Sequence, residues 1–266
     1  MIHIGLSSFF VTQTAHFNPI GNQHTISTMN GFIFPYTSRL IKKEKVNHNV
    51  VRFTFQRPFG FNFIPGQAVD LSIDKPGCEL EVAPFTIIST EDDPYLEFII
   101  KIRPNKDSLT YRLSTLRPGA AIQLSRPWDT FEYRGHGHFI AAGTGIVAFM
   151  PILDYIQKFG PEFTESHLLV YATKSKEDVL FEKRLRRILG NNFITRLSSP
   201  TASEKLPGRI DFGFLKSIVQ KKDQYFYICG PKSFEFDMMT HLMKMGVDQK
   251  RIQTGYTFGQ SKILNS

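Results

Sequence analysis

The sequence has little cysteine, one tryptophan and no long apolar run. The two cysteines, Cys78 and Cys229, are too few for a zinc or iron–sulfur site built from this chain alone, and they provide no disulfide framework. Scarce cysteine of this kind suits a reducing compartment, so a cytoplasmic location is expected. No stretch approaches the roughly 20 apolar residues that cross a bilayer, so no membrane partner is expected. Charge is missing from the start of the chain: no Asp, Glu, Lys or Arg precedes Arg39. With no basic residues before the apolar "IGLSSFFV", a secretory signal is weakly supported, and residues 1–28 read as a disordered extension.

What is present is a chain of 266 residues with 41% hydrophobic and 21% charged residues, enough for one large domain or two ordinary ones. The 25 phenylalanines favour β-rich structure. The formal net charge of +8 attracts anionic ligands or an acidic protein. The densest basic run, "FEKRLRRIL", carries Phe181, Leu185, Ile188 and Leu189 at helical spacing. It therefore reads as an amphipathic helix with a solvated basic face, and no nucleic-acid role is expected.

The chain changes rhythm midway. Between about Phe32 and Phe131, short runs such as "NVVRFTFQ", "QAVDLSI", "APFTIIST", "YLEFIIKI" and "AAIQLS" alternate with Pro/Gly/Asp turns. That spacing predicts a small antiparallel barrel, interrupted by one helix in "DSLTYRLSTL". From about Gly137, apolar strands alternate with helices: "HFIAA", "HLLVYAT", "NFITRLSS", "QYFYICG" and "RIQTGYTF" are the predicted strands. Such βα units predict a parallel sheet flanked by helices, with the loops after the strands gathered at one edge, where ligands bind. The domains read as 29–134 and 135–260, with a tail at 261–266.

The turn "AAGTG" lies at that edge. Glycine lets a backbone approach a phosphate, and the following helix offers unpaired N–H groups; a tight structural turn needs glycine too. "GTGIVA" formally fits the dinucleotide fingerprint, yet Lys174 stands where a dehydrogenase carries the ribose-binding acid, and a complete β domain comes first. An ordinary dehydrogenase without flavin is therefore disfavoured. The "GHGH" at Gly135–His138 is too small for a metal centre and reads as an interdomain linker, so no metal is expected.

A β-barrel followed by a five-stranded nucleotide domain, with "GTG" after the first strand and "CGP" after the fourth, resembles the ferredoxin–NADP reductase family. Seven stretches match in order over about residues 32–258: "FIPGQAVDL", "APFTIIST", "DSLTYRLSTLRPG", "RPWDTF", "FIAAGTGIVAF", "LLVYATKSKEDVLF" and "FYICGPKSF". The resemblance implies a flavin-binding barrel and an NAD(P)-binding α/β domain. The implied cofactors are FAD, with FMN as the alternative, and NADP or NAD. It implies that Pro84, Phe85 and Thr86 line the flavin, with the Thr86 hydroxyl at its N5. Ser108, Leu109 and Thr110 face its phosphate. Gly143, Thr144 and Gly145 lie by the nicotinamide nucleotide. Cys229 sits near the nicotinamide, with Gly230 and Pro231 opening the next helix. Tyr256 or Phe258 covers the other flavin face. Thr86 and Cys229 are the implied catalytic pair. Lys174, with Lys176, meets a 2′-phosphate and tilts the coenzyme choice toward NADPH.

The chain departs from the family pattern at four places. The flavin-motif arginine is Ala83, the phosphate-helix glycine is Asp107, the proline after "GTGI" is Ala148, and the acid before the C-terminal aromatic is Gly255. Losing the arginine removes a charge-assisted contact worth about 1.5–3 kcal/mol; Lys101, Arg103 and Arg112 are the candidate replacements. The expected function is a flavin-dependent oxidoreductase passing electrons from NAD(P)H to a separate acceptor such as ferredoxin, flavodoxin or an oxygenase. The alternative is a degenerate member that binds a nucleotide or a protein without turnover.

Overall fold

The computed structural model describes residues 14–16, 24–29, 32–64, 66–75, 78, 81–199 and 208–255. Three short strands, β1 (Thr14–His16), β2 (His24–Met29) and β3 (Phe32–Phe34), form an antiparallel ladder ahead of the barrel. Tyr256 and Phe258 lie outside the described residues, as does Pro65 of "FIPGQ".

The barrel is built from β4 (Tyr36–Lys45), β5 (Val50–Gln56), β6 (Gln67–Ile73), β7 (Ala83–Thr86), β8 (Tyr95–Lys101), the helix α1 (Leu109–Thr115), β9 (Ala121–Leu124) and β10 (Trp128–Asp129). All pairings are antiparallel and run β7–β6–β9–β4–β5–β8, with β10 added beside β6. Closure comes just after β7, where the Ile88 N–H donates to Glu97 O of β8 at 3.0 Å. The barrel is filled by Phe53, Phe55, Phe61, Leu71, Phe98 and Leu124, with Leu113 of α1 plugging it. Strict alternation breaks in β8, where Phe98, Ile99 and Ile100 are all buried, because Ile99 turns out of the barrel and joins the core of the second domain.

The second domain contains β11 (Gly137–Ala142), α2 (Ile146–Gln157), α3 (Pro161–Glu165), β12 (Leu168–Thr173), α4 (Glu182–Leu189), β13 (Phe193–Leu197), α5 (Phe212–Ile218), β14 (Tyr225–Cys229), α6 (Lys232–Lys244) and β15 (Ile252–Thr254). Its sheet is wholly parallel in the order β13–β12–β11–β14–β15. Strand order reverses between β11 and β14, which makes their C-terminal ends the binding crevice of such a sheet. Helix α2 is almost entirely buried, between the sheet and Val50 and Ile99 of the barrel.

Local chemistry changed one predicted element. The run "EDVLFEKRLRRIL" reads as one helix, but only Glu182–Leu189 is α-helical. Ser175 and Asp178 close a separate capping box around a 3₁₀ turn, and Phe181 adopts a left-handed φ of 58° before α4 begins. The buried side chains Leu185, Ile188 and Leu189 form the expected inner face of α4. The "GHGH" segment divides. His136 lies outside β11, whereas His138 is inside it, buried and stacked on Phe226. Among the described residues, no group of three or more His, Cys, Asp or Glu side chains gathers as a metal cluster would. Nor, among them, is any helix long and apolar enough to cross a membrane.

Candidate functional site

The GTG turn follows β11 as one turn of 3₁₀ helix, Gly143–Gly145, leading into α2. Its two glycines are required for different reasons. Gly143 has a φ of +56°, a left-handed conformation that favours glycine, and a Cβ there would meet nothing within 4 Å. Its carbonyl accepts a 2.9 Å hydrogen bond from the Tyr171 hydroxyl, which fixes the turn. A Cβ on Gly145 would fall 2.1 Å from the Cys229 carbonyl oxygen and 2.9 Å from the Gly230 nitrogen. The loops after β11 and β14 therefore touch backbone to backbone across the crevice. Gly145 is explained by packing, and Gly143 leaves the open surface a ligand needs. Thr144, half-buried, lies between them.

The opposite wall comes from β14 and α6. Cys229 is the last residue of β14 and partly buried; burial pushes its thiol pKa up, and the nearby Glu235 carboxylate adds to the rise. The thiol is thus neutral at physiological pH. Gly230 follows, and Pro231 occupies the N-cap position of α6. The early N–H groups of that 13-residue helix face the crevice end of the sheet.

Glu235 emerges only in three dimensions. It is fully buried, and its Oε1 accepts from the Gly230 N–H at 3.0 Å. A Cβ on Gly255 would lie 3.1 Å from that same oxygen and 3.2 Å from Cys229 Sγ. The acid that the family pattern puts at position 255 is absent there, and a carboxylate from α6 lies beside that glycine instead. A signal was available in the sequence: Glu235, Met238 and Leu242 share one helical face, so the acid stands on a buried stripe.

On the barrel side, Phe85 and Thr86 are half-buried at the end of β7, Pro84 is exposed, and Phe85 packs on the barrel core. Thr86 pairs with Ala68 of β6. Two residues on, Ile88 packs against the core of the second domain, so this strand end reaches the seam between the domains. The seam is fastened by hydrogen bonds. Glu132 and Gln253 exchange two, the Arg134 N–H donates to the Tyr227 hydroxyl, and that hydroxyl donates to Gly135 O at 2.9 Å.

The α1 region has its own order. Ser108 is the N-cap, and its Oγ accepts from the Tyr111 N–H. Thr110 Oγ1 accepts from the Arg103 N–H at 3.1 Å. Leu109 is buried in the barrel, so only its backbone remains for a ligand. Asp107 points outward with its side chain 88% exposed, which keeps its charge in water. Arg112 lies 3.4 Å from both Glu81 Oε1 and Cys78 Sγ. Among the described residues, Glu81 Oε2 is buried with no hydrogen-bond partner. Lys101 is exposed at the end of β8 and Lys174 at the end of β12, about where the sequence put them. The residues present suit a flavin and a nicotinamide nucleotide: an open glycine at the crevice, the N-terminus of α6 after the CGP turn, and an apolar ring with a hydroxyl beside it at the end of β7.

Comparison with known proteins agrees with this arrangement. Residues 36–117 match the FAD-binding domain family, and residues 139–240 match the oxidoreductase NAD-binding domain family. The chain is 24% identical over 261 residues to NADH-cytochrome b5 reductase 3 of Rattus norvegicus, covering 82% of this chain and 86% of that one. It is 27% identical over 164 residues to methane monooxygenase component C of Methylosinus trichosporium; that match takes in 58% of this chain and spans 46% of the relative's length. Among solved structures, the CS-b5R domains of human Ncb5or in the NAD+ form superpose with a TM-score of 0.72 at 23% identity, over 83% of this chain and 69% of that one. A ferredoxin NADP+ reductase from Neisseria gonorrhoeae with bound FAD and NADP gives 0.66 at 17% identity, over 83% of this chain and 98% of that one. Joining an FAD-binding domain to an oxidoreductase NAD-binding domain, the chain is an FAD- and NAD(P)-binding reductase, and its fold is that of the ferredoxin–NADP reductase-like structures.

Proposed function

We propose that this chain takes reducing equivalents from NAD(P)H and delivers them to a separate redox protein, such as a ferredoxin, a flavodoxin or an oxygenase component. One observation carries the reading: the GTG and CGP turns meet backbone to backbone at the crevice, with the GTG turn against the barrel strand β8. A bound flavin supplies the redox chemistry, accepting a hydride from nicotinamide and releasing electrons singly or in pairs.

The chain's own residues supply position and environment. Phe85 gives an apolar surface for the ring, and Thr86 offers a hydroxyl at its edge. Gly143 and Thr144 admit the pyrophosphate of the nicotinamide nucleotide, and the first N–H groups of α6 favour its negative charge. Cys229 presents a neutral thiol to the nicotinamide. The apolar seam of Val50, Ile99, Phe131 and Phe149 keeps water from the reacting centre. Lys174, exposed after β12, meets the 2′-phosphate of NADPH. The net charge of +8 favours an acidic acceptor.

The test is to load the purified protein with FAD and add NADH or NADPH without oxygen. Flavin bands that bleach, and bleach faster with NADPH, support the reading; a Lys174→Ala variant then loses that preference. Reduction of an added ferredoxin or flavodoxin at the same rate identifies the acceptor class. Ala83 favours the second reading, a member that binds without turnover, and failure to retain any flavin would establish it.

A further inference from the structure

Tyr171 is fully buried in the nucleotide sheet, on β12 between Ala141 of β11 and Thr195 of β13. Phenylalanine would fill the same core position, so the hydroxyl calls for its own explanation. Among the described residues it has two hydrogen-bond partners. It donates to the Gly143 carbonyl at 2.9 Å and accepts from the Leu180 N–H at 3.4 Å. Burial pushes the phenol pKa up more than the Leu180 N–H pulls it down, and the Asp178 carboxylate adds to the rise. The proton that the first bond needs is therefore held throughout the physiological range. Leu180 follows the Ser175–Asp178 capping box, so the loop that starts at Lys174 and the GTG turn are tied to one oxygen.

The peptide joining Gly143 to Thr144 is planar and trans, so its C=O and N–H point in opposite directions. With the carbonyl drawn toward the phenol, the Thr144 N–H is turned away from the buried ring. It is also one of the first donors of the 3₁₀ turn, which have no acceptor within the turn. Gly143 has no Cβ to oppose rotation of this peptide plane. Without an anchor the plane can turn over and present an oxygen where an anion needs a donor.

We propose that Tyr171 is a positioning residue for the nicotinamide nucleotide: its hydroxyl holds the Gly143–Thr144 peptide so that the Thr144 N–H, and not the Gly143 oxygen, faces the pyrophosphate. This rests on the reading of the crevice as the NAD(P)H site. A backbone N–H gives a phosphate oxygen a charge-assisted hydrogen bond, whereas a carbonyl in its place repels it. The phenol itself stays in the core and touches no ligand.

The experiment compares the original protein with Tyr171→Phe, by calorimetric titration with NADP+ and NAD+ and by amide hydrogen exchange. Tyr171→Phe is expected to raise the Kd of the coenzyme roughly 10-fold, the contribution of one hydrogen bond to a charged group. In the original protein, saturating coenzyme slows exchange of the Thr144 amide; in the variant that slowing is lost. Thermal unfolding of the coenzyme-free proteins separates fold from site. A variant that is less stable yet binds coenzyme as tightly, with Thr144 still protected, overturns the proposal and leaves the hydroxyl a structural role alone. If Tyr171→Phe does not fold, the original protein decides: slowed exchange at Thr144 under bound coenzyme supports the proposal, and unchanged exchange overturns it. If the original protein binds neither coenzyme, the reading of the crevice fails first, and this inference with it.

Discussion

Gly145→Ala tests the close approach of the two crevice loops most directly. The added Cβ falls 2.1 Å from the Cys229 carbonyl oxygen, where ordinary contact begins near 3.4 Å, so one backbone must retreat by about 1 Å or more. Neither can do so cheaply, because β11 and β14 are paired in register up to Ala141 and Cys229. Overpacking of this kind costs about 1–3 kcal/mol, or a fall in Tm of a few to about ten degrees for a chain of this length. Gly143→Ala is the control. Nothing lies within 4 Å of its Cβ, so its only intrinsic cost is the left-handed φ of +56°, about 1–2 kcal/mol. Thermal unfolding of the apoproteins measures stability, and equilibrium titration with NADPH measures binding. Gly145→Ala loses stability first, with binding following from the displaced Cys229 loop. Gly143→Ala loses more binding than stability, because its Cβ enters the space left for the nucleotide. A Gly145→Ala protein as stable as the original would refute the backbone-contact reasoning, and equal binding losses scaled to stability would deny Gly143 a ligand role.

Other expectations follow from buried groups. Glu235→Leu strands the Gly230 N–H and should cost about 1–3 kcal/mol in urea unfolding, whereas Glu235→Gln keeps an acceptor and should lose much less. His167 is buried between the Tyr133 hydroxyl and the Phe163 carbonyl, and desolvation depresses its pKa from 6.5 to about 4. Between those values the unfolded chain binds the extra proton, so this residue's contribution to stability is lost as pH falls from about 6.5 to about 4. His167→Gln should flatten the urea midpoint over that window, and an unchanged slope would assign it to His138, which is depressed similarly by burial. The Cys229 thiol, raised by desolvation, should react more slowly with iodoacetamide at pH 8 in the folded protein than on unfolding; equally rapid labelling of the folded protein would contradict its neutral state.

Much of the architecture was legible because period carries it. Alternation marks β5 and β6, and apolar strands separated by amphipathic helices mark the second domain. Those patterns depend only on which neighbours along the chain share a face. The order of motifs, from "APFTIIST" to "FYICGPKSF", likewise belongs to the chain itself. The 3₁₀ turn before α4 was lost because the Ser175–Asp178 box competes with helix locally while leaving the apolar spacing intact. Period marks β8 as a strand, but the burial of Ile99 is not in it, since that side chain is covered by a domain more than 30 residues away in the chain.

The sequence by itself determined two domains of different periods, the glycine turns at the sheet edge, and the departures at Ala83, Asp107 and Gly255. Tertiary structure alone decided what surrounds those departures. It turned Asp107 into water, set Glu235 beside Gly255, and brought Arg112 to Glu81 near the strand that lacks its arginine. It also separated the reasons for two glycines that look alike in "GTG". The physical cause is the same in each case: charge and close packing act through space over a few ångströms, and residues that meet there can lie many positions apart along the chain.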